Sequence, residues 1–330
     1  MIRNRLNMTA LAFAHTLALT SSSAVLAEIA TPEAGAATAN APDPKSENKA
    51  DAEAKPSEAA VNVASEKGTC LETLEGTVRA NHKGRLAPFC DRIQRLPVCQ
   101  STEGRPIHHA DSSSVDSRGK RILVLGLIHG DEPLAGEMAL EWAERLNKIS
   151  HRNFWRVVPM LNPDGLKRKT RMNARGVDLN RNFPTKDWLE EAHGFWKKVG
   201  KQDPRRYPGE AAASEAETKC IIAQIRDFKP DFIVSVHTPY KVLDFDGPRM
   251  SFPRYKDLPW RALGNFPGSL GRFMWRDFQV PVLTVELGNT MIDAAQLQDI
   301  VGSFAIEASR RSGQKTAAVY EKVSANDPEH

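Results

Sequence analysis

The stretch Arg121-Ile-Leu-Val-Leu-Gly-Leu-Ile-His129-Gly-Asp-Glu132 decides how the rest of the chain is read. From Ile122 to Ile128 the run is apolar, broken only by a glycine, and lacks the alternation of a half-exposed strand. A run of this kind fits a strand buried on both faces, as in the parallel sheets of α/β proteins. It stops at His129-Gly-Asp-Glu132, and a helical pattern follows to about Leu146. Phe154 to Met160 reads as a second strand, closed by the turn Asn162-Pro-Asp-Gly165. Ser214-Glu-Ala-Glu217 reads as a capping box opening a helix with Ile221, Ile222 and Ile225 on one face. Two further strands, Asp231 to Val236 and Val280 to Val285, end at His237 and Glu286. A last helix from near Asp293 buries Leu297, Ile300, Val301, Phe304 and Ala308. Strands alternating with helices give an α/β fold: a mixed, largely parallel central sheet with helices on both faces.

The strand ends hold the chemistry. His129, His237 and Glu286 each stand at the end of a buried apolar run, the edge at which open α/β sheets bind ligands. His129-x-x-Glu132 sets an imidazole at the strand end and a carboxylate in the next first turn, with Gly130 allowing a sharp turn between them. Together with the distant His237 they make a set of two histidines and one glutamate. That is a three-ligand catalytic zinc set, with a fourth position left for water.

Composition sets the frame. The chain has 330 residues, 41% hydrophobic and 26% charged, ordinary for globular domains. Its net charge of +4 is too small to indicate a nucleic-acid binder. Beyond the N-terminus no run of eighteen apolar residues occurs, which excludes a multi-span membrane protein. Residues 1–27 read as an export signal: Arg3 and Arg5, then the mostly apolar Met8 to Leu19, then Val25-Leu26-Ala27 as the cleavage site. That implies a periplasmic protein with no membrane span in the mature chain. Residues 28–67 contain twelve Ala, four Pro and no aromatic residue, and read as a disordered linker. The linker's eight acidic and four basic residues, with the two signal arginines, leave +6 on residues 68–330. Residues 68–100 form a cysteine-containing extension ahead of a main domain at 101–330. Cys70, Cys90 and Cys99 are disulfide candidates in an exported protein, whereas Cys220, on a helical apolar face, reads as a buried free thiol. Four cysteines allow three pairings, and spacing does not choose among them.

Asn162-Pro-Asp-Gly165, then Arg171-Met-Asn-Ala-Arg-Gly-Val-Asp178-Leu-Asn180-Arg181-Asn182-Phe183-Pro184, then Ser-Val-His237 and Thr-Val-Glu286-Leu follow His-Gly-Asp-Glu132 in order. This series resembles the zinc carboxypeptidase family, over about Ser101 to Ser309. Glu103-Gly-Arg-Pro-Ile107, Pro208-Gly209 and Leu243-Asp-Phe-Asp-Gly-Pro248 make it most similar to the bacterial murein peptide amidase branch. The resemblance implies one zinc ion per chain, held by His129, Glu132 and His237, with Glu286 as general base. It implies that Arg171, five residues before Gly176, stabilises the oxyanion, and that Asn180 and Arg181 grip the substrate's terminal carboxylate. Asp178 matches the carboxylate that orients a zinc-bound histidine. The mobile tyrosine of the family's digestive members has no counterpart between Leu258 and Gly271, and its role is not transferred to Tyr240 or Tyr255. Arg272, in the segment that sets side-chain preference, either meets an acidic substrate group or is a solvated charge.

The resemblance and the export signal imply a periplasmic zinc metallopeptidase acting on muropeptides, at the bond between the γ-carboxyl of D-glutamate and meso-diaminopimelate. An aspartoacylase-like deacylase shares the His-x-x-Glu and later His but not the long Asn-Pro-Asp-Gly and Gly-Val-Asp-Leu-Asn-Arg series. An inactive wall-binding module is the rival from another class, and it is disfavoured by the full set of matched positions.

Overall fold

A computed structural model describes residues 58–313 and 316–325; the expected export signal and most of the expected linker lie outside them. The apolar run at Arg121 forms strand β2 of a six-stranded sheet: β1 (Ala110–Ser112), β2 (Arg121–Leu125), β3 (Phe154–Val158), β4 (Phe232–His237), β5 (Val242–Asp246) and β6 (Val282–Glu286). The spatial order is β1-β3-β2-β4-β6-β5. β3, β2, β4 and β6 are parallel, and β1 and β5 close the two edges antiparallel.

Both faces are covered, as the unbroken apolar runs require. Ile122 and Val124 of β2 join one core while Leu123 and Leu125 join the other. The first core is roofed by α3 (Pro133–Leu146), through Met138 and Trp142, and by α7 (Ala294–Arg311), through Leu297, Val301, Phe304 and Ala308. Ile300 of α7 is only partly buried. The second core receives Ile221, Ile225 and Phe228 of α6 (Ala216–Phe228), and Tyr320 and Val323 of α8 (Thr316–Ala325).

The N-terminal side departs from expectation. α1 (Glu58–Leu74) takes in the last ten residues of the expected linker, and α2 (Leu86–Cys90) follows it. Cys70 is bonded to Cys90, and Leu74, Leu86 and Phe89 pack into the first core against α3. Cys220 is not free: it is bonded to Cys99, which fixes the extension to α6. Cys220 does lie on the buried face of α6, but a thiol there can equally face a cysteine far back along the chain.

Two local readings also change. Asn162-Pro-Asp-Gly165 opens a short helix, α4 (Pro163–Arg168), whose cap is Asn162 Oδ1 accepting the Gly165 N–H at 2.9 Å. The Ser214/Glu217 capping box does not form, and α6 has no side-chain cap. Ser214 Oγ donates instead to Glu215 Oε1, while buried Glu217 accepts from Thr102 N and Asn173 Nδ2. The remaining α-helix, α5 (Trp188–Lys198), precedes α6 and lies on the surface.

Candidate active site

The order of strands reverses at β2: the chain goes from β2 to β3 on one side, and β4 lies on the other. The crevice at such a reversal, beyond the carboxyl ends of the strands, is where α/β sheets bind ligands. His129 follows β2, His237 ends β4, and Glu286, ending β6, is the direct register partner of His237. Main-chain topology alone therefore gathers three residues that are more than a hundred positions apart at their extremes.

His129, Glu132 and His237 are buried and converge. His129 Nδ1 stands 2.8 Å from Glu132 Oε1 and 3.2 Å from His237 Nδ1, which is 3.0 Å from Glu132 Oε2. Atoms sharing one zinc at about 2.1 Å stand roughly 3 to 3.5 Å apart, so this donor set fits the ion. Each imidazole is held from behind. His129 Nε2 faces Asp178 Oδ1 at 3.2 Å, and His237 Nε2 faces Ser235 Oγ at 2.8 Å. Those partners leave the two Nδ1 atoms for the ion. Burial opposes ionisation of Glu132, but the charges and hydrogen bonds of His129 and His237 outweigh it and keep the carboxyl ionised well below its usual range.

The loop after α4 brings the cationic groups. Arg171 Nε donates to Asp178 Oδ2 at 3.1 Å and its Nη1 reaches His129 Nδ1 at 3.1 Å, so the guanidinium borders the metal cluster. Asp178 is fully buried. Desolvation works against its charge, and Arg171 and His129 more than compensate, holding it well below the carboxylate range. Arg181 lies over the Phe266 ring at 4.6 Å, its Nη1 donating to Asn180 O at 2.6 Å. Asn180 Oδ1 accepts the Leu270 N–H at 2.9 Å, which leaves its Nδ2 for a ligand.

These groups line one cavity of about 620 Å³, together with Glu286, Tyr240, Asp244, Asp246, Arg205 and Arg206. Burial raises the Glu286 carboxyl above its usual range, though His237 opposes this. Tyr240, 65% exposed at the cavity rim, donates its N–H to Glu286 Oε2 at 3.3 Å. Tyr255 is buried elsewhere, its hydroxyl donating to Asp293 O. Asp244 and Asp246 alternate along β5 and share its face. Burial, reinforced by the charge of Asp246, pushes Asp244 up to about 6. Among the described residues neither aspartate has a cationic partner.

Arg272 is neither a solvated charge nor a cavity group. It is 7% exposed and pairs with Asp187 and with Glu191, the latter at 2.9 Å. It fastens the segment after Gly268 to α5, and the cavity wall nearby is made by Ser269 and Gly271. Ser235, Asp244 and Asp246 fall within the quoted motifs without a role of their own, and Arg206 lies outside them. For Asp244 and Asp246 a signal existed, two carboxylates two positions apart on a strand, hence on one face.

The zinc carboxypeptidase family model matches residues 87–259, just over half the chain. The chain belongs to the zinc carboxypeptidase family. The family takes its name from zinc, and the His129–Glu132–His237 cluster is where this member can hold such an ion. Murein peptide amidase A of Escherichia coli K12 is 32% identical over 164 residues, which is 49% of this chain and 59% of that protein. Murein peptide amidase A of Vibrio campbellii is 30% identical over 203 residues, 57% of this chain and 77% of that one. The chain thus spans little more than half the length of the first of these relatives. A crystal structure of thrombin activatable fibrinolysis inhibitor shares the fold with a TM-score of 0.51 at 16% identity, covering 69% of this chain and 72% of that one. Among the described residues no helix is long and apolar enough to cross a membrane.

Proposed function

We propose that this chain is an exported zinc-dependent peptidase of peptidoglycan peptides, cleaving between the γ-carboxyl of D-glutamate and meso-diaminopimelate. The observation that carries the reading is one cavity in which a zinc-type donor set and Glu286 share space with Asn180, Arg181 and two carboxylates, Asp244 and Asp246, that have no cationic partner among the described residues. Diaminopimelate at the end of a peptide offers a terminal carboxylate and, at its far end, an ammonium, which matches that charge pattern. The two murein peptide amidases support the same substrate class. Two disulfides support an oxidising compartment, as export requires. In this proposal residues 1–27 are the export signal, 68–100 a disulfide-held brace and 101–330 the catalytic domain.

His129, Glu132 and His237 would hold the zinc ion, which when bound would supply Lewis acidity toward the scissile carbonyl and water. Glu286 takes the proton from the attacking water and delivers it to the departing amine. Arg171, fixed by Asp178, presents a cation where negative charge develops on the carbonyl oxygen. Arg181 and Asn180 Nδ2 hold the terminal carboxylate, the guanidinium offering parallel N–H donors. Asp244 and Asp246 meet the distal ammonium.

Mass spectrometry of muropeptide digests tests the proposal. Free diaminopimelate is expected from L-alanyl-γ-D-glutamyl-diaminopimelate, with loss on chelation and recovery on adding zinc. No release, or release unaffected by a chelator, rejects it.

A further inference from the structure

The cavity holds more positive charge than one terminal carboxylate needs. Arg171 is engaged by Asp178, and Arg181 with Asn180 suits a single carboxylate. Arg206 is a further cation on the same wall. It borders both the main cavity and a small one behind Arg181 and Phe266, which places it on the carboxylate-binding side. Its neighbour Arg205 serves otherwise, pairing at 2.7 Å with Asp131, between the metal-binding residues.

The backbone holds Arg206 in place. The tight turn Pro204–Arg206 is capped by Asp203, whose Oδ1 accepts the Arg205 N–H at 2.9 Å. Tyr207 O accepts the Asp178 N–H at 2.9 Å, tying this turn to the catalytic loop, and the Tyr207 ring meets Trp196 at 5.1 Å. The guanidinium is less committed: its ion pair is with Asp203 at 3.6 Å, and its side chain is 53% exposed. Proximity of Arg206 is also felt at Arg181, where burial first, and then the charges of Arg171 and Arg206, weaken the hold on the proton despite Asp178.

With Arg171 held by Asp178, Arg205 by Asp131 and Glu286 beside the metal cluster, the cavity still presents the cations Arg181 and Arg206, the latter only loosely paired with Asp203, and the carboxylates Asp244 and Asp246. We propose that Arg206 is a specificity-determining residue that binds a second carboxylate on the leaving amino acid, so that the site takes a diamino dicarboxylic acid in preference to lysine. Lysine is the same chain without the distal carboxylate, so the two leaving groups differ by the one group that Arg206 would read. A guanidinium suits this because its planar fork can bond a carboxylate bidentately. The inference rests on the peptidase reading above and adds to it the residue that selects the leaving group.

The test compares two tripeptides, L-alanyl-γ-D-glutamyl-diaminopimelate and its lysine analogue, with the zinc-loaded protein and its Arg206→Gln and Arg206→Lys variants. The protein is expected to favour diaminopimelate in kcat/KM by at least about tenfold. Arg206→Gln should lower that ratio by about tenfold, chiefly through KM, and Arg206→Lys should restore part of it. A residue that merely held the turn would lower both substrates together and leave the ratio fixed; that result overturns the inference. Equal cleavage of both peptides by the unmodified protein overturns it as well, with the peptidase reading intact. Cleavage of neither overturns both.

Discussion

Glu286 and His237 are neighbours in the sheet, so the proposed base is set by strand pairing rather than by a loop. Removing its basicity while keeping its shape separates the chemistry from the metal. Glu286→Gln is expected to lower kcat by roughly 100- to 10,000-fold, with zinc content unchanged when measured by atomic absorption. Comparable turnover in the variant would remove Glu286 from the proton-transfer role. Asp244 makes a second prediction, from its shift to about 6. It is neutral below that pH, so its hold on an ammonium strengthens as pH rises through about 6. KM for the diaminopimelate tripeptide should therefore fall across that interval, and Asp244→Asn should lose this component of the profile. Identical KM profiles for the two proteins would exclude the contact. The same shift makes folding less favourable as pH rises from 3.8 to about 6, because only the folded state keeps the proton there. At this scale the candidate metal set is legible in the sequence, because His129 and His237 stand at the ends of apolar runs. Asp244 and Asp246 were harder to read, because acidic alternation on an edge strand looks like a solvent-facing side until the cavity around it is known. Arg272 misled for the complementary reason: its partners, Asp187 and Glu191, are more than eighty residues away.

Between elements, the metal loop, α4 and the Arg171 loop behave as one unit. Asn162 Nδ2 donates to Ile128 O and to Arg171 O, each at 3.2 Å, while its Oδ1 caps α4. Gly130 is needed here for a reason the sequence did not reveal. The left-handed residue near the end of β2 is Leu127, with φ 51°, whereas a Cβ on Gly130 would lie 2.1 Å from the Gly165 carbonyl carbon. Its role is close approach of two backbones, and no flexible side chain is present to yield. Gly130→Ala should push the His129–Glu132 turn off α4, weakening zinc at least about tenfold and costing roughly 2 kcal/mol or more. Chelator competition and urea unfolding of the metal-free protein measure the two effects separately; unchanged values in both would show that the loop has slack. The strands and long helices were legible because period and length are local properties. The unformed capping box at Ser214 shows the limit. Glu217 had a suitable local partner, but Thr102 and Asn173, brought in by the fold, bind it instead.

Across the whole molecule two disulfides brace the N-terminal residues against opposite faces of the sheet: Cys70–Cys90 joins the core under α3, and Cys99–Cys220 the core under α6. No spacing rule chooses such pairs, because partners are set by which helix roofs which face. The loops they close differ greatly, spanning 20 and 121 residues. If the crosslinks act mainly by restricting the unfolded chain, the shorter contributes about 3 kcal/mol and the longer about 5 kcal/mol. Paired alanine substitutions, Cys70→Ala with Cys90→Ala and Cys99→Ala with Cys220→Ala, compare them in the zinc-loaded protein by denaturant unfolding. The second pair is expected to lose more stability. The first pair should loosen mainly the extension, since buried Glu137 of α3 also holds it through Arg79 and His82. Arg79→Ala would leave buried Glu137 with His82 as its remaining partner, so it should add to the Cys70/Cys90 loss by more than a surface ion pair would. A reversed ranking of the two disulfides would mean that native packing around the extension, rather than chain entropy, sets how much each one stabilises the fold.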